Sequence, residues 1–464
     1  MPFLTNFVLG DLRSLPAALH RRRQDGVPQA RLRAGTGHTC PISRSDCCIA
    51  ESTHHFHGNP FTCLASVAQE YAAICSCVSE MWKSAACSRW CTAQNWVMTI
   101  DLSTELALDG VTVLDASQGV AGPYCGLLMA LNGAQVLKAE PAEGDWLRHL
   151  GQPIGDHSPH SWYLNRAKGS CTLDLRSEAG RQEALRLAAS SDVVITSFRP
   201  GAADGLGLSH DAIAARNPQV ISCAISGYGP TGALAQNPAV DGVLQAFCGW
   251  MDINADAGGC PRAFPYFAID MLAGLYAYQA VLGALIRQWR HGTGGQRLEV
   301  SLMQAAASFL GPRLMELALA NGKSPDLFSS PNGAFRTQDG WFLVAVTTQE
   351  QFRRVCAALE CTELGEDPRF ASRALRITHR QTLDALLAQR FEALDGSRCE
   401  EMFKAHGAMG AIVQTAAQML SHPQLRAAGG VLDVPTPAGK LPLVTIPGAD
   451  AGLQRADAPQ RVVR

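Results

Sequence analysis

From about residue 108 the chain repeats one alternation: a short run of β-branched and other apolar residues, then a longer stretch with apolar positions three and four apart. "VTVLDA" is the first strand-like run, "GPYCGLLMALNGA" a small-residue helix, and "QVLKAE" a second strand ending in Glu140. "RQEALRLAASSD" then reads as helix, "VVITSF" as strand, "HDAIAARNP" as helix and "QVISCAIS" as strand. Strands alternating with helices of this length predict an α/β fold, a Rossmann-like parallel sheet joined by crossover helices. Ligands of such sheets sit in crevices beyond the carboxyl ends of the strands. The loops "ASQGVAGP", "EPAEGD", "SFRPGAADG" and "SGYGPTG" all follow strands and are therefore the candidate ligand loops.

The longest apolar stretch, "MLAGLYAYQAVLGALIRQW", starts directly after Asp270 in "PYFAIDMLAG". It reads as a core helix rather than a membrane span, broken by the glycines of "HGTGGQ". "RLEVSL" follows as a strand. Near residue 330 the pattern changes: "AFRTQDGWFLVAVTT" predicts a hairpin turning at Asp339-Gly340, and "QEQFRRVCAALE" and "QTLDALLAQRFEAL" predict helices. After residue 430 the chain is rich in proline and glycine. The expected division is a large domain over residues 106–305, a smaller α+β domain over 325–390 and a return segment over 391–464. Residues 1–97 fit none of these, because "HRRRQDGVPQARLRAGTGHTCP" and "CSCVSEMWKSAACSRWCTAQNW" hold no sustained period. The texture changes at Met98, so residues 1–97 are expected to be a Cys-rich extension outside the fold, with Met98 as the natural start. An arginine-rich transit peptide is the other reading of the opening.

Composition narrows the classes. A net charge of -2 over 464 residues gives no sign of a nucleic-acid or anionic-membrane partner. Eight of the sixteen cysteines precede residue 98 (Cys40, Cys47, Cys48, Cys63, Cys75, Cys77, Cys87 and Cys91), and the rest are scattered singly. Scattered cysteines in a chain long enough for a large core read as reduced thiols, hence a cytoplasmic protein. The early cluster lies near His38 and "HHFH", but it has no C-x-x-C pair and fits no usual zinc framework, so no metal is expected.

The chemistry is harder to read from spacing. Gly119, Gly122 and Gly126 follow the first strand without the G-x-G-x-x-G spacing of a dinucleotide cradle. No Walker loop, nucleophile elbow or H-E-x-x-H occurs. Asp270 is the one charge in an apolar run. It could be a helix N-cap, accepting hydrogen bonds from orphan N–H groups. It could equally be a nucleophile, a carboxylate kept ionised by a helix N-terminus among apolar neighbours that limit its hydration. Spacing leaves both readings open.

Longer blocks carry a resemblance. "LDGVTVLDASQGVAGPYCGLLMALNGAQVLKAEPAEGD", "AKGSCTLDLRSEAGR", "ITSFRPGAADGLGL", "NPQVISCAISGYGPTG", "AIDMLAGLYAYQAVLGALIRQWRHGTGGQRLEVSL", "FRTQDGWFLVAV", "EDPRF" and "HPQLRAAGGV" resemble, in order, the class III coenzyme A transferases, over roughly residues 106 to 445. The resemblance implies a Rossmann-like large domain with a smaller domain, in a homodimer of interlocked subunits. It implies that Asp270 is the nucleophile, attacking an acyl-CoA thioester to give a mixed anhydride and then an aspartyl-CoA thioester. Coenzyme A and acyl-CoA are substrates, a small carboxylic acid is the acceptor, and no permanently bound cofactor is implied.

Position by position, the resemblance places Gly119, Val120 and Ala121, then Leu173 and Arg176, then Ser197, Phe198 and Arg199, where the family contacts CoA. The α-methylacyl-CoA racemases of the same superfamily use a His and a Glu where this chain has Val240 and Gln349, neither of which can shuttle a proton. A racemase is therefore the alternative enzyme, and a non-catalytic acyl-CoA-binding homologue the alternative from another class. Four departures stand out. Gly205 and Pro141 occupy positions where the family often or sometimes has arginine. Val120 replaces the glutamine of formyl-CoA transferase, whose glycine-rich loop is also not evident. The chain stops at "RADAPQRVVR" without the family's usual closing helix.

Overall fold

The computed structural model describes residues 106–256, 258–321, 328–450, 452–455 and 461–462. The expected extension over residues 1–97, its cysteine cluster and the Met98 start lie outside the described residues.

The predicted alternation builds one parallel sheet. Its strands are β1 (Thr112–Ala116), β2 (Gln135–Glu140), β3 (Gly169–Thr172), β4 (Val193–Thr196), β5 (Ile221–Ser226) and β6 (Gln296–Ser301), with the short β12 (Arg461–Val462) on the edge beside β3. The order β12-β3-β2-β1-β4-β5-β6 contains the 3-2-1-4-5-6 sequence of dinucleotide-binding sheets. Side chains alternate between two covered faces, which is why the strands read as continuous apolar runs. Val113, Val193, Ile195, Ile221 and Cys223 point into one core, with helix α1 (Ala121–Ala130) and the 24-residue α6 (Ala268–His291). Leu114, Val194 and Ala139 point into the other, with α3 (Glu178–Ala189) and α4 (His210–Ala214). Helices α2 (Pro159–Asn165), α5 (Asp241–Phe247) and α7 (Leu302–Phe309) also belong to this part.

By length and composition α6 alone among the described helices could cross a membrane. It instead buries Ile269, Ala273, Ala277, Val281 and Leu285 in the sheet's core. A Cβ on Gly274 would stand 2.5 Å from the Ala121 carbonyl oxygen, so this glycine sets how closely α6 packs on α1. Gly292, in the left-handed region, ends the helix as the sequence predicts.

The second core spans Phe335 to Ile412. The predicted hairpin is there as β7 (Asn332–Arg336) and β8 (Trp341–Ala345), joined by β9 (Gly410–Ile412) into an antiparallel sheet. The two predicted helices are α8 (Gln349–Ala358) and α9 (Arg380–Glu392). Helix α10 (Gly396–His406) adds Cys399, Met402 and Phe403 to this core, and the Phe391 ring stacks on Phe335 with centroids 4.9 Å apart. The packing of this core thus runs on beyond residue 390 to Ile412. The Pro- and Gly-rich tail contains an unpredicted hairpin, β10 (Val431–Thr436) and β11 (Gly439–Val444). Pro435 and Pro442 sit in an isolated two-stranded ribbon, where the outer edge of each strand needs no N–H donor.

Candidate active site

In a sheet of this order the crevice opens where the connections leave in opposite directions, between β1 and β4. The loops after these two strands meet there, with the Gln118 N–H donating to Ser197 Oγ at 2.9 Å. The first loop rests on buried charges. Asp115 and Lys138 stand opposite each other in the β1–β2 register. Lys138 Nζ lies 3.6 Å from Asp115 and 3.5 Å from Asp145, and Lys168 Nζ lies 2.8 Å from Asp115. The Gly119 N–H donates to both Asp145 oxygens, at 3.1 and 3.0 Å. Burial alone would raise the Asp115 carboxyl, but Lys138 and Lys168 bring it down to about 2. Burial in turn lowers Lys168 to about 8, against the pull of Asp115, so the pair is ionised at neutral pH.

Gly119 itself has φ +80°, and a Cβ there would meet the Trp146 ring at 2.9 Å. The loop delivers Val120 as the N-cap residue of α1, with no side chain capping the helix and no acid in its first turn. The first N–H groups of a helix have no intrahelical acceptor and favour negative charge. Val120 and Ala121 both line the cleft, so their N–H groups could stabilise an oxyanion formed in it.

Asp270 stands in the first turn of α6, three residues after the cap residue Phe267. It is not the N-cap. The cap comes from another element: Asp241, at the start of α5, accepts from the Ile269 N–H at 2.7 Å and the Asp270 N–H at 3.0 Å. Gln245 holds this arrangement, donating to Asp241 and to the Phe264 carbonyl. The Asp270 carboxylate has no hydrogen-bond partner among the described residues. Burial first, and the negative charge of Asp241 second, push it up to about 7. The helix terminus thus does not hold Asp270 in the ordinary carboxylate range, because burial, and after it the capping carboxylate of Asp241, outweigh it.

Gly119, Val120, Ala121, Ser197, Phe198, Arg199 and Asp270 line one cleft of about 1090 Å³. Leu173 and Arg176 line an adjoining cavity of about 690 Å³, and Gln118, Trp146 and Phe198 form part of both walls. Arg176 is exposed and faces Glu143 at 3.4 Å. Pro141 lines the smaller cavity, whereas Gly205 lies just before its lining residues Leu206 and Leu208. Val240 lines the Asp270 cleft, but Gln349 does not. The Gln349 amide is engaged in the second core, accepting from Arg376 and donating to the Phe370 carbonyl. The cleft is lined by many apolar groups, yet its rim residues Phe264 and Tyr266 are about half exposed (52% and 49%), so a single chain does not seal it. No group of three or more His, Cys, Asp or Glu side chains among the described residues is placed to hold a metal.

The family model for CoA-transferase family III matches residues 108–461. The chain belongs to CoA-transferase family III. It is 32% identical over 353 residues to an acyl-CoA transferase of Fusarium pseudograminearum, covering 72% of this chain and 77% of the relative. It is 29% identical to human succinyl-CoA:glutarate CoA-transferase, covering 75% and 80%. Among solved structures, a CAIB/BAIF family protein from Brucella suis superposes with a TM-score of 0.68 at 31% identity, covering 77% of this chain and 96% of that one. Against this family frame, sequence reading missed Asp241 as the cap, the Asp115–Lys138–Asp145–Lys168 cluster, Trp146 and His160. Only the cluster left a signal, in part: Asp115 and Lys138 each put a charge inside the apolar strand runs "VTVLDA" and "QVLKAE". His160, in "DHSPHSW", left none.

Proposed function

We propose that this family III transferase moves CoA from an acyl-CoA donor to a small carboxylic acid, with Asp270 as the nucleophile. An Asp270 oxygen attacks the thioester carbonyl, the C–S bond breaks, CoA leaves as thiolate, and a mixed anhydride remains. The thiolate then attacks the Asp270 carbonyl, releasing the donor acid and leaving an aspartyl-CoA thioester. The acceptor carboxylate runs the same steps in reverse, which restores Asp270 without net gain or loss of protons or electrons. An unpartnered Asp270 carboxylate lining the same cleft as Val120 and Ala121, at the start of a helix that no side chain caps, carries this reading.

CoA would lie along the two joined cavities, its nucleotide with Leu173 and Arg176 and its thioester with Gly119, Val120 and Ala121. Ser197, Phe198 and Arg199 would flank the passage between them. The proposal includes an interlocked homodimer, in which a second chain would cover the half-exposed rim and exclude water from the anhydride. It also includes a cytoplasmic location, which the eight free cysteines among the described residues suit. A racemase would need proton-transfer groups at Val240 and Gln349. One is apolar, and the amide of the other is committed to Arg376.

The test is to incubate the full chain with acetyl-CoA or succinyl-CoA and hydroxylamine and map the adduct by peptide mass spectrometry. A hydroxamate at Asp270 is expected. Full transfer activity in Asp270→Ala, or solvent deuterium entering the acyl α-carbon without CoA exchange, would sink the proposal.

A further inference from the structure

The Asp270 cleft holds two carboxylates, Asp241 and Asp270, so an acid entering it meets negative charge. Two lining side chains can offer positive charge or a charge-assisted hydrogen bond: Arg199 and His160. Arg199 follows β4 beside Ser197 and Phe198, on the side where the passage to the smaller cavity opens. His160 comes from α2. Its ring packs edge-on to Phe267, with centroids 5.7 Å apart, and lies 6.1 Å from the Tyr266 ring. Phe267 is the residue from which the Asp270 helix departs, so His160 is fixed at the nucleophile's end of the cleft. Neither ring nitrogen has a hydrogen-bond partner among the described residues. Its neighbour His157, by contrast, is within hydrogen-bond distance of Arg148 and Ser161.

We infer that His160 reads the second carboxylate of a dicarboxylic acyl group, so that the acceptors of this chain are short diacids rather than monoacids. This rests on the transferase reading. One carboxylate of the diacid would react at Asp270 while the other accepts a hydrogen bond from the imidazole, which donates as either tautomer or as the cation. The Tyr266 and Phe267 rings set the ring's place, so the selection is for chain length as well as charge. Both acids named for the human relative, succinate and glutarate, have this form.

The experiment is an internal competition in the full chain, with glutarate and its monoamide as acceptors for one donor. The ratio of the two CoA products is read by mass spectrometry. With a shared donor, any effect on the donor half-reaction cancels. The unsubstituted chain is expected to favour glutarate. His160→Phe, which keeps the ring packing and removes the nitrogens, is expected to cut that preference by about tenfold to a hundredfold, as losing one hydrogen bond to a charged group would do. His160→Arg is expected to restore much of the preference. An unchanged ratio in His160→Phe, or an equal fall for both acceptors, overturns the assignment. Hydroxylamine trapping at Asp270 in the same samples separates the two failures. An adduct with an unchanged ratio removes only the role of His160, and no adduct in any sample removes the transferase reading beneath it.

Discussion

A carboxylate that attacks a thioester must be ionised, yet the surroundings that make it reactive also make its charge costly. Asp270 is pushed up to about 7 by burial and by Asp241, so near neutrality only part of the population carries the ionised carboxylate that the proposed attack needs. The transfer rate should therefore rise with pH through about 7, with an acid limb in kcat/KM that reports free Asp270. The same shift has a sign in stability. Because the folded protein holds the Asp270 proton more tightly than the unfolded chain, nothing is lost below about pH 4. A cost grows between about pH 4 and 7 and is complete above that range. Asp270→Asn should be inactive yet more stable than the parent at pH 8, by on the order of 1–3 kcal/mol, with the gain gone by pH 4. Denaturant titrations at the two pH values would check this, and a gain equal at both would mean that charge burial is not its source.

At the scale of elements, α6 is capped from outside. The acid that sequence spacing offered as an N-cap is the proposed nucleophile, and the capping acid comes from α5, 29 residues earlier in sequence. Spacing could not reveal this, because the pairing of Asp241 with Ile269 and Asp270 exists only after both helices have docked. The arrangement makes Asp241 a positioning residue with two separable effects. Asp241→Asn keeps an acceptor for the helix N–H groups but removes the negative charge. It should cost about 1 kcal/mol of stability and move the acid limb of the rate profile to lower pH. An unmoved limb would show that Asp241 only holds the helix. Other elements were plain in the sequence for a physical reason. The sheet strands are covered on both faces and form apolar runs, while β3 is four residues long, with only Ser170 and Cys171 buried, and gave no such run. The β10–β11 ribbon was hidden because its prolines read as loop.

Across the whole molecule, the two joined cavities form a long groove with few cations for a substrate rich in phosphate. The smaller cavity offers Arg176 and His149 against Glu140, Glu143 and Asp174. Gly205 leaves open space around the site of a Cβ, and its backbone is not in the left-handed region, so an arginine fits there. Gly205→Arg should lower KM for acyl-CoA by roughly threefold to tenfold at low ionic strength and lose most of that gain in 0.5 M salt. Steady-state kinetics at the two salt levels would test it, and an unchanged KM would place the CoA phosphates elsewhere. The groove's loops could be read from the sequence as loops after strands, but the buried charges beneath them could not, since Asp115 and Lys138 come together only across the β1–β2 register. The sheet's far edge adds a matter of timing. β12 lies beside β3 with Arg461 opposite Ser170, a separation of roughly 290 residues, and non-local pairings of that kind form late. Both the second core and the β10–β11 ribbon lie between those strands in sequence, so a growing chain can assemble the candidate crevice well before the sheet is finished. Until then the outer edge of β3 stays open to whatever strand reaches it first.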